Sequence, residues 1–547
     1  MGRQTEVMHI VVERRGQVVA LIDDNGSEAH VHETQLASVV GEREAEHPRW
    51  IWTDTAQWYP PLLAAGIRVE RCHDLRLVDA LLAGITGATP MRHWGRARTP
   101  ARSDTLFEVD EESDAAAAGI ASTEWARQRA AIASHPDPAR LTLLVAAESA
   151  GALTAVEMQH TGLPWNAAVH DVLLTEALGE RPPQGRRPAT LEALATDVER
   201  LLDVGPVPID SPHALVAALR RAGLEVSSTR SAELKQVDHP AIAPLLQYKT
   251  LSRLHTANGW NWLEEWVHNG RFRPTFVPAG VVTGRWTSDG GGALQLPKQV
   301  RPAVQADEGW ALVVADASQL EPRILAALSG DAAMARAGAG EDLYAGIVDS
   351  GAVPSREHAK VGMLGAMYGG TTGVSAQVLP RLARSFPKAI GFVESAARAG
   401  ERGERVRTRL GRTSPLPPSS WSARQSAAGL EGAVESEVRS ARSAARSWGR
   451  FTRNFVVQGT AAEWALAWMA GVRRRLWRAD GGALAEQPHL VFFVHDELIV
   501  HSPRETVDEV VRVLQEAAGD AGRLVFGETT VTFPVTVAIV DRYSDAK

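Results

Sequence analysis

Two short apolar runs, far apart in the chain, each lead into acidic residues. Residues 311–315 are all apolar and are followed by Asp316, and residues 490–494 precede a segment that contains Asp496 and Glu497. The first run predicts a buried strand with a carboxylate where the strand emerges. The second, with apolar arms on both sides, predicts a hairpin whose polar tip leaves the sheet. The fold must therefore contain a sheet with carboxylates at strand ends.

Carboxylates at two strand ends can hold divalent cations, and the carbonyl of Ala317 offers a further oxygen ligand. Adjacent Asp496 and Glu497 repel each other unless a cation lies nearby, and the tip lacks the Gly, Asn or Pro of ordinary turns. Two such aspartates fit a two-metal site, with cations about 3.5–4 Å apart, for in-line displacement at phosphorus. Simpler alternatives are an Asp316 that caps a helix beginning near Gln319 and an ordinary polar turn at the tip.

A third segment predicts a helix with one mixed face. Arg356, Lys360, Leu364 and Tyr368 recur every four residues, which places them in one stripe that begins cationic and ends apolar and aromatic. The stripe suits phosphates at one end and a base at the other. The glycines at 369 and 370 end the helix and allow close approach by another segment. The alternative is an amphipathic surface helix.

Two further segments carry hydrogen-bonding groups. Arg450, Asn454 and Gln458 also lie four apart, a row suited to minor-groove edges of a duplex or equally to a plain polar helix face. Residues 283–297 form a Gly-rich loop that contains Arg285. This loop lacks the Lys-Ser/Thr ending of a nucleotide P-loop.

Composition limits the class of protein. The chain has 547 residues, enough for three or four domains, with 44% hydrophobic and 22% charged residues, as in a soluble globular protein. Cys72 is the single cysteine, which excludes a disulfide framework and a multi-cysteine zinc site. The net charge of −7 argues against a nucleic-acid partner, but residues 356–453 carry 17 Arg and Lys against 7 Asp and Glu. This +10 block is what a phosphate-tracking surface requires, although a solvated Arg-rich face has the same composition.

The order of patterns predicts the organisation. Residues 1–100 read as a small α/β unit, residues 103–118 as an acidic linker and residues 120–265 as mostly helical. No run of 18 apolar residues occurs and the N-terminus lacks the plan of a secretory signal. We therefore expect no membrane span and a cytoplasmic location.

These segments, in this order, resemble the motifs of the family A DNA polymerases, the bacterial DNA polymerase I kind. Residues 316–323 resemble the first palm motif and residues 494–498 the second carboxylate motif. Residues 356–369 resemble the fingers helix that binds the incoming nucleotide, whereas residues 283–285 and 454–462 resemble segments that contact the primer–template.

The resemblance implies a role for each matching residue. Asp316, Asp496 and the Ala317 carbonyl would hold two Mg²⁺ ions, with Mn²⁺ as a substitute, and Glu497 would lie beside them. Arg356 and Lys360 would neutralise the triphosphate, and Lys360 would protonate the pyrophosphate. Glu321 would exclude a ribose 2′-hydroxyl, Tyr368 would stack near the templating base, and Gln319 would support the active site. The residues that would contact DNA are Arg285, Arg450, Asn454, Gln458 and His495. Leu364 departs from the family, which has Phe or Tyr beside the sugar.

The implied fold is multidomain α+β and α/β, with an RNase H-like exonuclease-type N-terminal domain and a right-hand polymerase built on an antiparallel palm sheet. The expected domains are 1–120 exonuclease-like with the linker, 121–270 connecting helices and thumb, 271–330 first palm part, 331–450 fingers and 451–547 second palm part. The implied activity is template-directed DNA synthesis from dNTPs in repair or gap-filling, by a monomer that binds primer–template DNA.

The N-terminal stretch 50–82 resembles actinobacterial forms of the proofreading domain, but its metal ligands are missing. Residues 110–112 fit the first carboxylate pattern, yet they lie in the acidic linker and after the segment they should precede. No late Tyr or His pattern with Asp follows, so we expect no proofreading and no 5′-nuclease. The remaining alternatives are a single-subunit RNA polymerase, disfavoured by Glu321, and an inactive DNA-binding scaffold.

Overall fold

The computed structural model describes residues 8–90, 120–370, 372–477, 483–494 and 496–546. The acidic linker at 103–118 and His495 lie outside these residues. The helices are α1 Leu36–Glu44, α2 Thr55–Ala64, α3 Leu75–Thr86, α4 Ile120–Ala133, α5 Pro138–Thr161, α6 Ala167–Leu178, α7 Ala189–Leu202, α8 Pro212–Arg221, α9 Ser231–Leu234, α10 Ile242–Asn258, α11 Trp260–Trp266, α12 Leu320–Ser329, α13 Ala332–Ala337, α14 Leu343–Asp349, α15 Arg356–Tyr368, α16 Gly373–Ser385, α17 Pro387–Glu401, α18 Ser419–Ala428, α19 Glu435–Arg475 and α20 Val507–Phe526.

The strands form four sheets. They are β1 His9–Arg15, β2 Val18–Asp23, β3 Glu28–His32, β4 Arg49–Trp52, β5 Arg71–Asp74, β6 Leu163–Pro164, β7 Val267–His268, β8 Arg271–Phe272, β9 Thr275–Val277, β10 Thr287–Asp289, β11 Trp310–Ala317, β12 His489–Val494, β13 Glu497–Pro503 and β14 Val535–Val540. The sheet orders are β3-β2-β1-β4-β5, β10-β9, β12-β13-β11-β14 and β6-β8-β7.

The chain divides into two compact units. The first comprises Met1–Thr161, Phe276–Thr287 and Val313–Ile539, and the second comprises Gly162–Thr275, Ser288–Leu312 and Val540–Lys547. The helices α4 and α5 thus group with the N-terminal sheet and with the later part of the chain. The second unit is built on α6–α11 and has an aromatic core in which the Trp262 ring lies 4.9 Å from Phe272 and 5.1 Å from Trp165.

The N-terminal sheet combines antiparallel and parallel pairing. The strands β1 to β3 pair antiparallel, and β1–β4 and β4–β5 pair parallel. One face of the sheet buries Trp50 and Trp52 of β4 in a cluster with Tyr59 of α2. These three are among the largest fully buried side chains of the described residues. The predicted strands near 9–12 and 17–22 and the predicted helix near 75–82 are all present.

By length and composition, helix α5 could cross a membrane, with a mean hydropathy of 1.4. The sequence had not indicated such a helix, because it contains no uninterrupted run of 18 apolar residues. However, 78% of its apolar window is buried inside the protein. That burial is typical of a core helix, because its apolar surface already packs against protein.

A buried ionic cluster joins the N-terminal sheet domain to α5 and α19. Arg473 donates to both carboxylate oxygens of Glu157, at 3.0 and 2.7 Å, and Arg68 does the same at 3.0 and 3.1 Å. The Tyr59 hydroxyl donates to the same carboxylate at 2.6 Å. Burial by itself would raise the pKa of Glu157, but the two guanidiniums outweigh it and lower the pKa to about 2.

Candidate active site

The strand β11 and the β12–β13 hairpin bring the two predicted carboxylates to one place. The Ala317 N–H donates to the backbone carbonyl of Asp496 at 2.9 Å. Asp316 is half-buried at the end of an otherwise buried strand. It is not the cap of α12, because the N-cap residue of that helix is Gln319. The turn therefore presents Asp496 beside the carboxyl end of the strand that carries Asp316.

The position of Glu497 differs from the predicted exposed tip. Glu497 is the first residue of β13, pairs with Val494 across the hairpin and is only 3% exposed. The turn is tighter than the three polar residues suggested, since strand pairing already begins at Glu497. His495, predicted to contact DNA, lies outside the described residues.

The start of α12 is held by a strained residue and a buried arginine. Gln319 has a left-handed backbone, with φ of 51°, and its side-chain oxygen accepts the Leu343 N–H at 2.9 Å. Arg323 is fully buried and donates to the carbonyls of Gly338 at 2.6 Å and Gly340 at 2.9 Å. These bonds fasten the segment after α13 to the strand end, so Gln319 acts here as a support for its neighbours.

The predicted stripe on α15 is present. Arg356, Lys360 and Tyr368 are exposed and Leu364 is half-buried, whereas the opposite side of the helix is buried. Twelve residues separate the first and last of these, which is about 18 Å along a helix axis. The cationic end also lies at the N-terminus of the helix, where the backbone dipole favours anions.

The first residue of this stripe is anchored by the preceding helix. Arg356 Nε donates to Asp342 at 2.6 Å, and its guanidinium lies over the Tyr344 ring at 5.6 Å. Burial by itself would raise the pKa of Asp342, but the hydrogen bond from Arg356 lowers it, and the net result is a lowered pKa. The Asp342 carboxylate therefore pairs with the guanidinium that is predicted to bind the triphosphate.

The other end of the stripe closes on two further predicted residues. The Tyr368 hydroxyl donates to Glu321, at 2.9 and 2.8 Å to the two oxygens, and Arg285 donates to the same carboxylate at 2.5 Å. Burial together with the charge of Glu321 raises the pKa of Tyr368, against a small opposing effect of Asn454. The turn after Tyr368 needs glycine, because a Cβ on Gly369 would lie 2.7 Å from a methylene of Arg450.

The loop with Arg285 rests on α19. Thr283 Oγ1 donates to the Gln458 side chain at 3.1 Å. Gly284 has φ of +85°, and a Cβ there would lie 2.6 Å from the Arg412 guanidinium, so only glycine fits between them. A Cβ on Gly459 would lie 2.5 Å from Thr408. Close backbone approach at both glycines sets the predicted DNA-contacting groups side by side.

A buried carboxylate holds the segment 408–412, whose Arg412 lies against Gly284. Glu463 on α19 accepts the Leu410 N–H at 2.9 Å and the Thr408 hydroxyl. Burial raises the pKa of Glu463 to about 7, against the opposing effect of these two bonds. The folded protein therefore holds a proton on Glu463 over a pH range in which the unfolded chain does not.

Stability should fall with rising pH because of this group. Its contribution is fully present below the unfolded-state pKa near 4.5 and is lost as pH rises through about 7. We expect the Glu463→Gln variant to lack this dependence, so that its stability relative to the wild type improves by about 1–3 kcal/mol between pH 5 and pH 8. Thermal unfolding at both pH values measures the difference. Glu516→Gln, on the exposed side of α20, is the control, and equal pH profiles for wild type and Glu463→Gln would contradict the assignment.

Several residues of the site carried no predicted role. Asp342 binds Arg356, and Arg323 fastens the support beneath the strand end. Arg412 lies against Gly284, and Glu463 holds the segment that contains Arg412. Only Asp342 had a local signal, because an acidic residue directly before a helix predicts an N-cap, and it does cap α14.

Comparisons with known proteins indicate the class of protein to which the chain belongs. The profile of DNA polymerase family A matches residues 187–545. The thermostable DNA polymerase I of Thermus aquaticus is 28% identical over 329 residues, which cover 55% of this chain and 36% of that protein. The DNA polymerase I of Chloroflexus aurantiacus is 26% identical over 355 residues, 59% of this chain and 35% of that protein. The chain thus spans about a third of the length of these curated relatives.

A solved structure shows the same fold. The POL domain of Pol1 from M. smegmatis, in complex with DNA primer-template and dNTP, superposes with a TM-score of 0.70 at 19% identity, over 99% of this chain and 96% of that one. The chain belongs to DNA polymerase family A, and it has the polymerase-domain fold of that family. The resemblance drawn from the motifs is confirmed.

Proposed function

We propose that the chain is a template-directed DNA polymerase that adds dNTPs to a primer 3′-hydroxyl. The observation that supports the proposal is the hydrogen bond from the Ala317 N–H to the Asp496 carbonyl, which brings the backbone of the turn with Asp496 beside the end of the strand with Asp316, within a chain of family A. The relatives are named as DNA polymerases, and the M. smegmatis domain binds primer-template and dNTP. In the reaction the 3′-oxygen bonds to the α-phosphorus while the bond to the β-phosphate breaks and pyrophosphate leaves.

The donor set at the strand end fits divalent metal ions, and Mg²⁺ is the proposed ion, with Mn²⁺ as a substitute. Mg²⁺ is bound in proteins by one or two carboxylates, with substrate phosphates as the remaining ligands. Asp316, Asp496 and the Ala317 carbonyl are such a set, and no group of three or more His, Cys, Asp or Glu side chains suited to a metal occurs in the described part of the chain. When bound, the ions would activate the 3′-hydroxyl and stabilise the departing pyrophosphate.

The side chains of α15 are proposed to bind the nucleotide. Arg356 exchanges its carboxylate partner Asp342 for the triphosphate, an exchange of one anion for another that leaves the guanidinium paired. Lys360, exposed one turn later, neutralises the same phosphates and donates its proton to the departing pyrophosphate oxygen. Leu364, half-buried on the same stripe, contacts the sugar through apolar surface alone.

The other end of the stripe is proposed to select the sugar and to hold the duplex. Glu321 occupies the position of the 2′-hydroxyl, while Tyr368 stacks near the templating base after release from Glu321. The DNA-contacting row is proposed to comprise Arg285, Arg450, Asn454, Gln458 and His495. The hydrogen bonds from Arg285 and Tyr368 to Glu321 support this arrangement, because they already hold these three side chains together.

A primer-extension assay tests this function. We expect incorporation of dNTPs opposite the template in the presence of Mg²⁺. Absence of incorporation would leave the inactive-scaffold alternative, and preference for rNTPs would favour the RNA polymerase alternative.

Shortening Glu321 should weaken sugar discrimination. The Glu321→Ala variant opens space for a 2′-hydroxyl, and we expect its preference for dNTP over rNTP to fall by about 10–100-fold, since exclusion of a small group in a pocket accounts for about 1–3 kcal/mol. The ratio of kcat/KM values for dCTP and CTP in single-nucleotide extension measures it. Glu516→Ala, exposed on α20, should keep the wild-type ratio, and an unchanged ratio in Glu321→Ala would remove Glu321 from this role.

We also infer that residues 1–120 have an exonuclease-like fold without proofreading. The support is the mixed sheet, antiparallel over three strands and then parallel. Glu13 is the only acidic residue on β1, is 2% exposed and accepts the Ser122 hydroxyl at 2.8 Å. A carboxylate held in that way points to a structural role for it. The candidate pattern at 110–112 lies outside the described residues.

A mismatched primer terminus should therefore survive. We expect no shortening of a mismatched 3′ end when the protein and Mg²⁺ are incubated with primer–template in the absence of dNTPs, followed on a sequencing gel. Nucleotide-by-nucleotide shortening would show that the domain retains catalytic metal ligands.

A further inference from the structure

The N-terminal domain contains a cavity that the proposed polymerase site does not use. Its volume is about 280 Å³, and it lies where α4 and the start of α5 cover β1, β4 and β5. The polar lining consists mainly of His9, Arg49, His73 and Arg129, and Trp125 forms part of the wall. The rest of the lining is largely aliphatic. A small cavity with one cationic side and one apolar side suits a ligand with two unlike parts.

The positive charge of this cavity is only partly neutralised. Arg49 is half-buried, and its NH1 donates to the Cys72 carbonyl at 2.9 Å. Among the described residues no carboxylate forms an ion pair with Arg49. Asp24 at the rim lies 4.0 Å from Arg129 and bonds to the ring of His9 at 3.1 Å. Asp24 is the carboxylate that reaches Arg129, and Glu70 acts on Arg49 through space without forming an ion pair with it. The two guanidiniums are therefore only partly neutralised, and the cavity favours a further anion.

The wall beside these arginines is aromatic. The Trp125 ring lies 5.2 Å from the His9 imidazole and 4.7 Å from that of His73. His73 Nε2 lies 2.7 Å from the Gln128 side-chain oxygen, and burial lowers the pKa of His73 to about 4, so the ring is neutral and uses Nε2 as its donor. The Arg129 guanidinium lies over the Trp125 ring, 5.5 Å from its centroid, and a planar heterocycle would add to this arrangement of cation and rings.

We infer that this cavity is a binding site for a nucleoside 5′-monophosphate, free or at the end of a strand. Arg49 and Arg129 bind the phosphate, and the Trp125 wall contacts the base. The volume lies at the low end of ligand cavities, which favours one base with one phosphate over a triphosphate. The inference does not depend on the proposed polymerase activity, because none of these residues belongs to that site.

Calorimetric titration of the full chain with deoxyguanosine 5′-monophosphate, in the presence of EDTA, tests the site. We expect saturable binding at one site, weakened at least about tenfold in Arg129→Glu and in Arg49→Gln. Arg129 is exposed, so its variant should fold even if the half-buried Arg49 does not tolerate substitution. Arg140→Gln, on α5 beside the cavity but not lining it, is the matched control. Lys360→Ala should also bind normally, and primer extension by Arg129→Glu should remain at the wild-type rate.

Further titrations determine which parts of the ligand the cavity binds. Deoxyguanosine and inorganic phosphate should each bind at least about tenfold more weakly than the monophosphate, and equal binding of either would overturn the proposal. A 5′-phosphorylated hexanucleotide that binds more tightly than the monophosphate, with the same loss in Arg129→Glu, would assign the cavity to a strand end, and weaker binding would assign it to the free nucleotide. Absence of saturable binding, or unchanged binding in Arg129→Glu, would refute the site.

Discussion

Replacement of Asp316 or Asp496 by alanine is expected to abolish DNA synthesis. The two residues adjoin through the bond from Ala317 to the Asp496 carbonyl, and each would supply a carboxylate to the metal ions. Loss of several kcal/mol of charge stabilisation in the transition state corresponds to a decrease of at least about a thousandfold in rate. Single-turnover extension of a primer by one nucleotide, at saturating dNTP, measures the chemical step directly.

The control for these variants is Asp349→Ala. Asp349 is an exposed aspartate at the end of α14, and its removal should leave the rate unchanged. Primer–template affinity, measured by fluorescence anisotropy, should stay near the wild-type value in Asp316→Ala and Asp496→Ala, because the duplex is proposed to be held by other side chains. Extension at more than about a tenth of the wild-type rate by either variant would contradict the metal assignment.

Replacement of Arg473 by methionine is expected to cause the largest loss of stability. Glu157 is fully buried and shared by Arg473, Arg68 and Tyr59, and Arg473 also donates to the Glu70 carbonyl at 2.7 Å. Removal of one partner of a buried pair leaves uncompensated charge and polar groups, which costs about 3–5 kcal/mol. The free energy of the first unfolding transition in urea measures this loss.

Two comparisons make this result specific. Arg439→Ala, which breaks the exposed pair with Glu435 on the same helix, should cost less than about 1 kcal/mol. The pH profile provides a second test: the folded-state pKa of Glu157 is about 2, so its stabilisation is present above the unfolded pKa near 4.5 and is lost as pH falls from there toward 2. A loss in Arg473→Met no larger than that in Arg439→Ala would show that the cluster contributes little.

Local patterns predicted the elements that carry the site. The buried run at 311–315 forms most of β11, the arms around Asp496 form a hairpin, and the four-residue spacing from Arg356 to Tyr368 is one helical face. Such patterns are readable because each depends on neighbours within a few residues. The position of Glu497 was predicted wrongly, since the register that buries it is set by strand pairing and not by the polarity of the tip.

The contacts that unite the site could not be predicted in that way. Glu321 meets Arg285 and Tyr368, which lie 36 and 47 residues away, and Glu157 meets Arg473 at a separation of 316 residues. No local pattern marks such partners, because only the packing of whole elements brings them together. The need for glycine at position 284 is likewise evident only in the folded protein, where the Arg412 guanidinium lies against the backbone of Gly284. The roles given to the site residues stay predictions until the variants are measured.

Helix α19 joins these distant features mechanically. It is 41 residues long, about 60 Å at 1.5 Å per residue, contains no proline and is almost wholly buried from Phe455 to Met469. Sharp bends in helices arise mainly at proline or at interrupted hydrogen bonds, so this segment behaves as a stiff rod. Arg450, about 22 Å along the helix from its start, and Arg473, close to its end, therefore lie on one stiff segment. The buried cluster that holds Arg473 therefore also helps to fix the orientation of the row that is proposed to hold the duplex.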